Sequence, residues 1–192
     1  MHSLILASGS PRRKELLQQV HLSFSVVPST ITEHIDQALS PEEAVSRLAF
    51  QKAEDVWKQH RNAVVLGSDT VVAFQDTILG KPKNEHEACE MLALLSGQTH
   101  AVYTGVTLYS QTDTITFFEK TEVEFYPLSE EEIAMYVRSG ESLDKAGAYG
   151  IQGFGAFLVK QIKGDYYTVV GLPLARTIRE LKKLGIVPSA HI

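Results

Sequence analysis

The amino-acid sequence predicts an α/β fold on three observations. Strand-like and helix-like stretches alternate along the 192 residues, the pattern of a sheet flanked by helices. Two helix-like stretches open on capping boxes, Ser40-Pro41-Glu42-Glu43 and Ser129-Glu130-Glu131-Glu132, in which side chains satisfy backbone N–H groups left over at a helix start. Residues 99–126 are β-like on both sides of the turn at 110–114, as in a long hairpin. The length suffices for one large domain or two small lobes with a real core. We expect a single α/β domain over 1–192 with two lobes.

The elements follow in order. Leu4-Ile5-Leu6-Ala7 reads as a short buried strand, broken by Ser8-Gly9-Ser10, and Pro11 opens a helix. Residues 23–29 form a second candidate strand, and 29–40 is a polar loop. The Ser40 capping box starts a helix that should run to about Gln59, with Val45, Leu48, Ala49, Ala53 and Val56 as its apolar face. Residues 63–74 are strand-like with a polar interruption, Ser68-Asp69-Thr70. Residues 77–84 read as a loop, and Glu85–Leu95 as a helix ended by Gly97. After the hairpin, the Ser129 helix ends near Gly140, and residues 140–155 are glycine-rich and irregular. Residues 156–170 suggest two strands joined at Lys163-Gly164-Asp165, and a last helix spans about Leu174 to Leu184.

Composition narrows the function. Hydrophobic residues make up 44% and charged residues 21%, as in ordinary globular chains. The net charge of -5 argues against general nucleic-acid binding. A single cysteine, Cys89, leaves no internal disulfide and no cysteine zinc site, which fits a reducing cytoplasm. The seven histidines show no paired zinc spacing. The N-terminal apolar run is too short for a signal peptide or membrane span.

Several residues resist a purely structural explanation. A helix N-terminus carries partial positive charge and favours acids, yet Pro11 is followed by Arg12, Arg13 and Lys14. These cations either point into water or serve an anion site, where a strand, a Ser/Gly turn carrying Ser8 and Ser10, and a helix start aim N–H groups at one point. Arginine binds phosphate bidentately. The P-loop pattern is missing. Lys52 falls in the middle of an apolar helix stripe; it either snorkels or meets an anion in a cleft. Asp69 lies inside an apolar strand run, where an unpaired carboxylate is costly. It either caps a bend or acts as a general base or magnesium ligand, and Glu33 in the polar loop offers a second carboxylate. Lys81 is held in a Gly-Lys-Pro loop, and Gln152 sits among glycines that allow close approach of a flat ligand. Cations, two carboxylates and an amide together suit hydrolysis of a phosphoanhydride assisted by a divalent cation.

The stretches LILASGSPRRKELL, GSDTVV, LGKP, DKAGAYGIQG and GDYYTVVGLPL resemble, in order and spacing, the Maf family of nucleotide pyrophosphatases, also described as septum-formation inhibitors. The resemblance runs from Leu4 to about Leu184. It implies a long twisted mixed sheet flanked by helices, two lobes with a central cleft, similar to inosine triphosphate pyrophosphatases. It implies cleavage of a nucleoside triphosphate between its α and β phosphates, with Mg or Mn, by a protein that is often a homodimer. Asp69 matches the family's proposed base, and Arg13, Glu33, Lys52 and Lys81 match its polar cleft residues. Glu33 and Asp69 are the expected metal ligands.

Within the family, Arg12, Thr70 and Gln152 match the branch acting on dTTP and UTP. A sister branch acting on 7-methyl-GTP tends to carry tryptophan, glutamine and glutamate there. Arg12 should repel a cationic base, and neutral Gln152 offers both a donor and an acceptor to a pyrimidine edge. The competing expectations are a regulatory protein of septum formation that acts by occupancy, with a cell-division partner, and a 7-methyl-GTP-type pyrophosphatase.

Overall fold

In a computed structural model, the structure describes residues 3–34, 38–75 and 77–189. Three parallel strands begin the sheet. β1 (Leu4–Leu6) pairs with β2 (Phe24–Val26) and with β3 (Val64–Phe74), placing Leu4 opposite both Phe24 and Val64. β4 (Thr77–Leu79) is antiparallel to β3. β5 (Thr99–Tyr109) and β6 (Thr114–Phe125) form the long predicted hairpin, and β7 (Val159–Lys163) is antiparallel to β6. The result is a mixed seven-stranded sheet in the order β2-β1-β3-β5-β6-β7, with β4 on β3. It is flanked by helices, as the sequence predicts.

The chain divides into two compact units. The first comprises Met1–Asp69, Thr104–Glu119 and Gly171–Ile192, and the second Thr70–Tyr103 and Lys120–Val170. In the first unit, α1 (Pro11–Gln19) is capped by the Ser10 hydroxyl, which accepts from the Arg13 N–H. α2 (Pro41–Trp57) starts on the predicted Ser40–Glu43 capping box. Its apolar stripe meets a core containing Ala53 and Val56 of the helix with Ile5 and Val65 of the strands and Ala7 just after β1. The α2 backbone lies directly on two glycines. A Cβ on Gly67 would come within 2.2 Å of the Ala49 carbonyl oxygen, and one on Gly105 within 2.4 Å of that of Val45. Any side chain at Gly67 would push the helix off the sheet. α6 (Leu174–Lys183) follows Pro173.

In the second unit, α3 (Glu85–Leu95) packs against α4 (Glu130–Arg138). α4 carries the Ser129–Glu132 capping box. Leu92, Leu95, Val123, Phe125, Tyr136 and Leu158 are central to a separate core.

Two local expectations are corrected. Residues 77–84 do not form a loop throughout, because Thr77–Leu79 returns along β3 as β4. The second strand expected within 156–170 is instead a short helix, α5 (Tyr166–Val170). The Asp165 carboxylate caps it, accepting from the N–H groups of Tyr167 and Thr168 and from the Thr168 hydroxyl. Part of the polar loop expected at 29–40, residues 35–37, lies outside the described residues. No described helix is long and apolar enough to cross a membrane.

Candidate active site

Lys52 is the centre of the site in the first unit. It stands between Ala49 and Ala53, where Gly67 lets α2 touch β3. Gly67 and Asp69 point to the same face of the strand, because side chains alternate. The close seating therefore presents Lys52 to Asp69. The Lys52 Nζ donates to Asp69 Oδ1 at 2.7 Å and pairs with Glu33 Oε1 at 2.8 Å. Lys52 is 8% exposed and Asp69 6%. The snorkelling alternative for Lys52 is excluded, since the ammonium ends on carboxylates within the protein. The bend alternative for Asp69 is excluded too, since β3 runs unbroken through it.

Arg13 is fixed from two sides. Its Nε donates to the Gly171 carbonyl at 2.8 Å and its Nη1 to the Ser8 hydroxyl at 3.1 Å. Ser8 Oγ also accepts from the Ser10 N–H at 3.2 Å, so the Ser8-Gly9-Ser10 turn and the guanidinium brace each other. Gly171 has φ +125°, a conformation that favours glycine. Its carbonyl receives Ser68 Oγ as well, at 3.2 Å. One turn thus holds Arg13 and the residue preceding Asp69.

Burial pushes the Asp69 carboxyl above the usual carboxylate range. Lys52 and Arg13 pull it down without overcoming the loss of water, and Glu33 adds to the rise. Burial also draws the Arg13 guanidinium below the usual arginine value, opposed by Asp69 and Glu33 and assisted by Arg12. Arginine nevertheless remains a cation near neutrality. Asp69 is thus a shielded carboxylate with fixed cations around it, an arrangement that suits proton transfer beside a phosphate.

The structure brings Ser8, Arg13, Glu33, Lys52 and Asp69 into the first unit, with Ser10 and half-buried Arg12 on the same turn and helix start. Thr70, Lys81 and Gln152 belong to the second unit. There the Gly147 N–H donates to the Gly80 carbonyl at 3.0 Å, tying the loop that precedes Lys81 to the one that leads to Gln152. The Gly150 N–H donates to the Tyr136 hydroxyl at 3.1 Å, and Tyr149 meets buried His100 Nε2 at 2.7 Å.

Two carboxylates directed at one point fit a hard divalent cation, which commonly takes one or two protein carboxylates and fills its remaining positions with water and phosphate. No group of three or more His, Cys, Asp or Glu residues able to hold a metal occurs among the described residues. A cation at Glu33 and Asp69 therefore requires a phosphate ligand or water to complete its shell.

Ser68, Gly171 and His100 escaped the sequence reading as contributors. Gly171 was visible as the glycine of a Gly-Leu-Pro-Leu run, but nothing local linked it to Arg13.

The family model described as Maf-like protein matches residues 3–184. The chain belongs to the Maf family. Among the family's curated proteins, the dTTP/UTP pyrophosphatase of Bacillus mycoides (strain KBAB4) is 58% identical over 183 residues, 95% of this chain and 96% of the relative. That of Halalkalibacterium halodurans is 57% identical over 185 residues, 96% and 97% of the two chains. That of Bacillus cereus (strain G9842) is 56% identical over 186 residues, 97% of each. The Maf family match begins at the β1 end and includes every site residue named above.

Proposed function

We propose that this Maf-family protein hydrolyses dTTP and UTP between the α and β phosphates, giving the nucleoside monophosphate and pyrophosphate. The observation that carries the reading is Asp69: a carboxylate buried in mid-strand, held by Lys52, with Arg13 fixed nearby. A structural ion pair would serve poorly there, because burying it costs about as much as it returns. A phosphate-processing site gives each charge a task. The names carried by relatives alike over nearly their whole length support the choice of dTTP and UTP.

In the proposed reaction Asp69 orients a water and takes its proton as the oxygen attacks the α-phosphorus. The bridging α–β P–O bond breaks, and its electron pair leaves with pyrophosphate. Arg13, Lys52 and Lys81 offset the charge on the phosphates and on the departing group, and Ser8 and Ser10 help bind them. Glu33 and Asp69 would hold Mg or Mn, which when bound neutralises phosphate charge and polarises P–O bonds. Arg12, Thr70 and Gln152 read the base; the positive charge of Arg12 disfavours a cationic 7-methylguanine. The protein works as a homodimer in the cytoplasm.

Pyrophosphate release from dTTP, UTP, 7-methyl-GTP, ATP and GTP tests the reading under one metal condition. The expected order of kcat/KM places dTTP and UTP above 7-methyl-GTP, with ATP and GTP poor. A higher value for 7-methyl-GTP would overturn the base preference alone. Nucleotide binding without pyrophosphate release from any of the five would overturn the enzymatic reading in favour of action by occupancy.

A further inference from the structure

Lys52 stands at the point a metal would claim. Its Nζ touches both Glu33 Oε1 and Asp69 Oδ1, at 2.8 and 2.7 Å, and its side chain is 10% exposed. A divalent cation seeks the same oxygens. Glu33 is open to solvent, with 48% of its side chain exposed, but on the Asp69 side, where that carboxylate is only 9% exposed, an ammonium and a dication repel strongly at one point. The carboxylates can serve either cation in full, and not both.

We propose that Lys52 is a plug that keeps free divalent metal off Glu33 and Asp69 until a nucleoside triphosphate arrives. The inference rests on the pyrophosphatase reading. The incoming triphosphate offers the ammonium a new anionic partner. Lys52 then turns from the carboxylates to the phosphates, and the vacated oxygens accept the metal that accompanies the nucleotide. Metal and nucleotide binding are thereby coupled with positive sign, each favouring the other through one side chain. Because α2 is seated against Gly67 without an intervening side chain, Lys52 can exchange partners by moving its flexible stem while the helix stays in place.

The coupling also assigns Lys52 two tasks in sequence. Before substrate, it compensates the buried Asp69 carboxylate and the exposed Glu33 carboxylate that meets it. After substrate, it helps neutralise phosphate. A protein with a preformed, open dicarboxylate would instead load metal from solution regardless of substrate.

The test measures Mn²⁺ binding to the full chain at pH 8 by electron paramagnetic resonance, without nucleotide. Wild type should bind Mn²⁺ weakly. Lys52→Met keeps the apolar stem and removes the plug; it should bind at least tenfold more tightly. Lys52→Met combined with Glu33→Gln should return to weak binding, placing the gain at the carboxylate pair. Where Lys52→Met fails to fold by circular dichroism, Lys52→Gln carries the same measurement, because its amide can bridge the oxygens without charge. Equal affinity in wild type and the Lys52 variant, or tight binding by wild type alone, would overturn the plug. Pyrophosphate release from dTTP by wild type is measured on the same preparation. Its absence would sink the pyrophosphatase reading, while the Mn²⁺ comparison reports separately on whether Lys52 guards the carboxylates.

Discussion

The two units bury polar groups in opposite ways. In the first, Lys52, Asp69 and Arg13 are charged, and their charges converge on one another and on the exposed Glu33. In the second, the polar interior is neutral. His100 is 3% exposed, pairs with the Tyr149 hydroxyl and contacts the Phe125 ring edge-on at 4.9 Å. The Tyr136 hydroxyl accepts the Gly150 N–H. Neutral hydrogen bonds hold glycine-rich backbone in place at modest cost. Buried charges cost more, and on the proposed reading the first unit keeps them where a triphosphate would offset that cost. Buried charge thus marks the proposed chemistry, and buried neutral polarity marks the frame.

The sharpest way to break this contrast is Asp69→Asn. Turnover should fall about 10²- to 10⁴-fold, the scale for loss of a general base. Stability should hardly move, and the sign follows from the carboxyl's raised pKa. A carboxyl whose folded pKa lies above its unfolded value contributes stability at low pH and loses it as pH rises through that window. Above that window the ionised Asp69 is therefore a net cost, and an amide removes that cost while Lys52 keeps Glu33. Pyrophosphate release and thermal unfolding measured together decide it. The expected Tm change is below about 3 °C, roughly 1 kcal/mol for a chain of this size. Near-normal turnover, or a large loss of stability, would make Asp69 part of the frame.

The second unit should show the reverse, with pH acting on stability rather than chemistry. Burial holds the His100 pKa down to about 4. The folded protein keeps the ring neutral while the unfolded chain protonates it below about 6.5. The unfolded state binds the extra proton between those values, so stability falls as pH drops through 6.5 toward 4. The loss amounts to about 3 kcal/mol once pH reaches 4. His100→Gln removes the titration and leaves a neutral polar group facing Tyr149. Urea unfolding at pH 7 and pH 4 should show a smaller drop in the variant than in wild type by about that amount. Equal drops would mean that the His100 site gains water and does not keep the ring neutral.

The same contrast explains what was legible in the sequence. Lys52 and Asp69 stood out because each is charged where its neighbours are apolar, and the structure joins them at 2.7 Å. The helix starts at Ser40 and Ser129 were legible because capping is local and chemically specific. Gly171 and His100 were opaque. Gly171 acts through a carbonyl bonded to Arg13, 158 residues away in sequence, and His100 through a ring that only the fold encloses. Neither partner is marked by spacing or composition. The strand expected at 166–170 failed for another reason: Tyr-Tyr-Thr-Val-Val has strong β propensity, which the preceding aspartate overrides.

That override is the smallest effect to test. Asp165 accepts from the Tyr167 N–H at 3.3 Å and from the Thr168 N–H and hydroxyl at 3.0 Å each. Gly164 before it has φ +133°, which turns the chain out of β7. A five-residue helix of β-branched and aromatic residues has little intrinsic stability, so the cap should matter more than its single residue suggests. Asp165→Ala should destabilise the protein by about 1–2 kcal/mol, the upper part of the range for a lost N-cap. Asp165→Asn retains an acceptor oxygen and should cost less than half as much. Neither change removes a charge from the Lys52–Asp69 group, so kcat/KM for dTTP should stay within about twofold, since a surface-scale perturbation away from the reacting atoms transmits little energy. Urea unfolding of the three proteins reads the stability order. Equal stability of wild type and Asp165→Ala would show that packing of Thr168 and Val170, both buried, makes the helix without its cap.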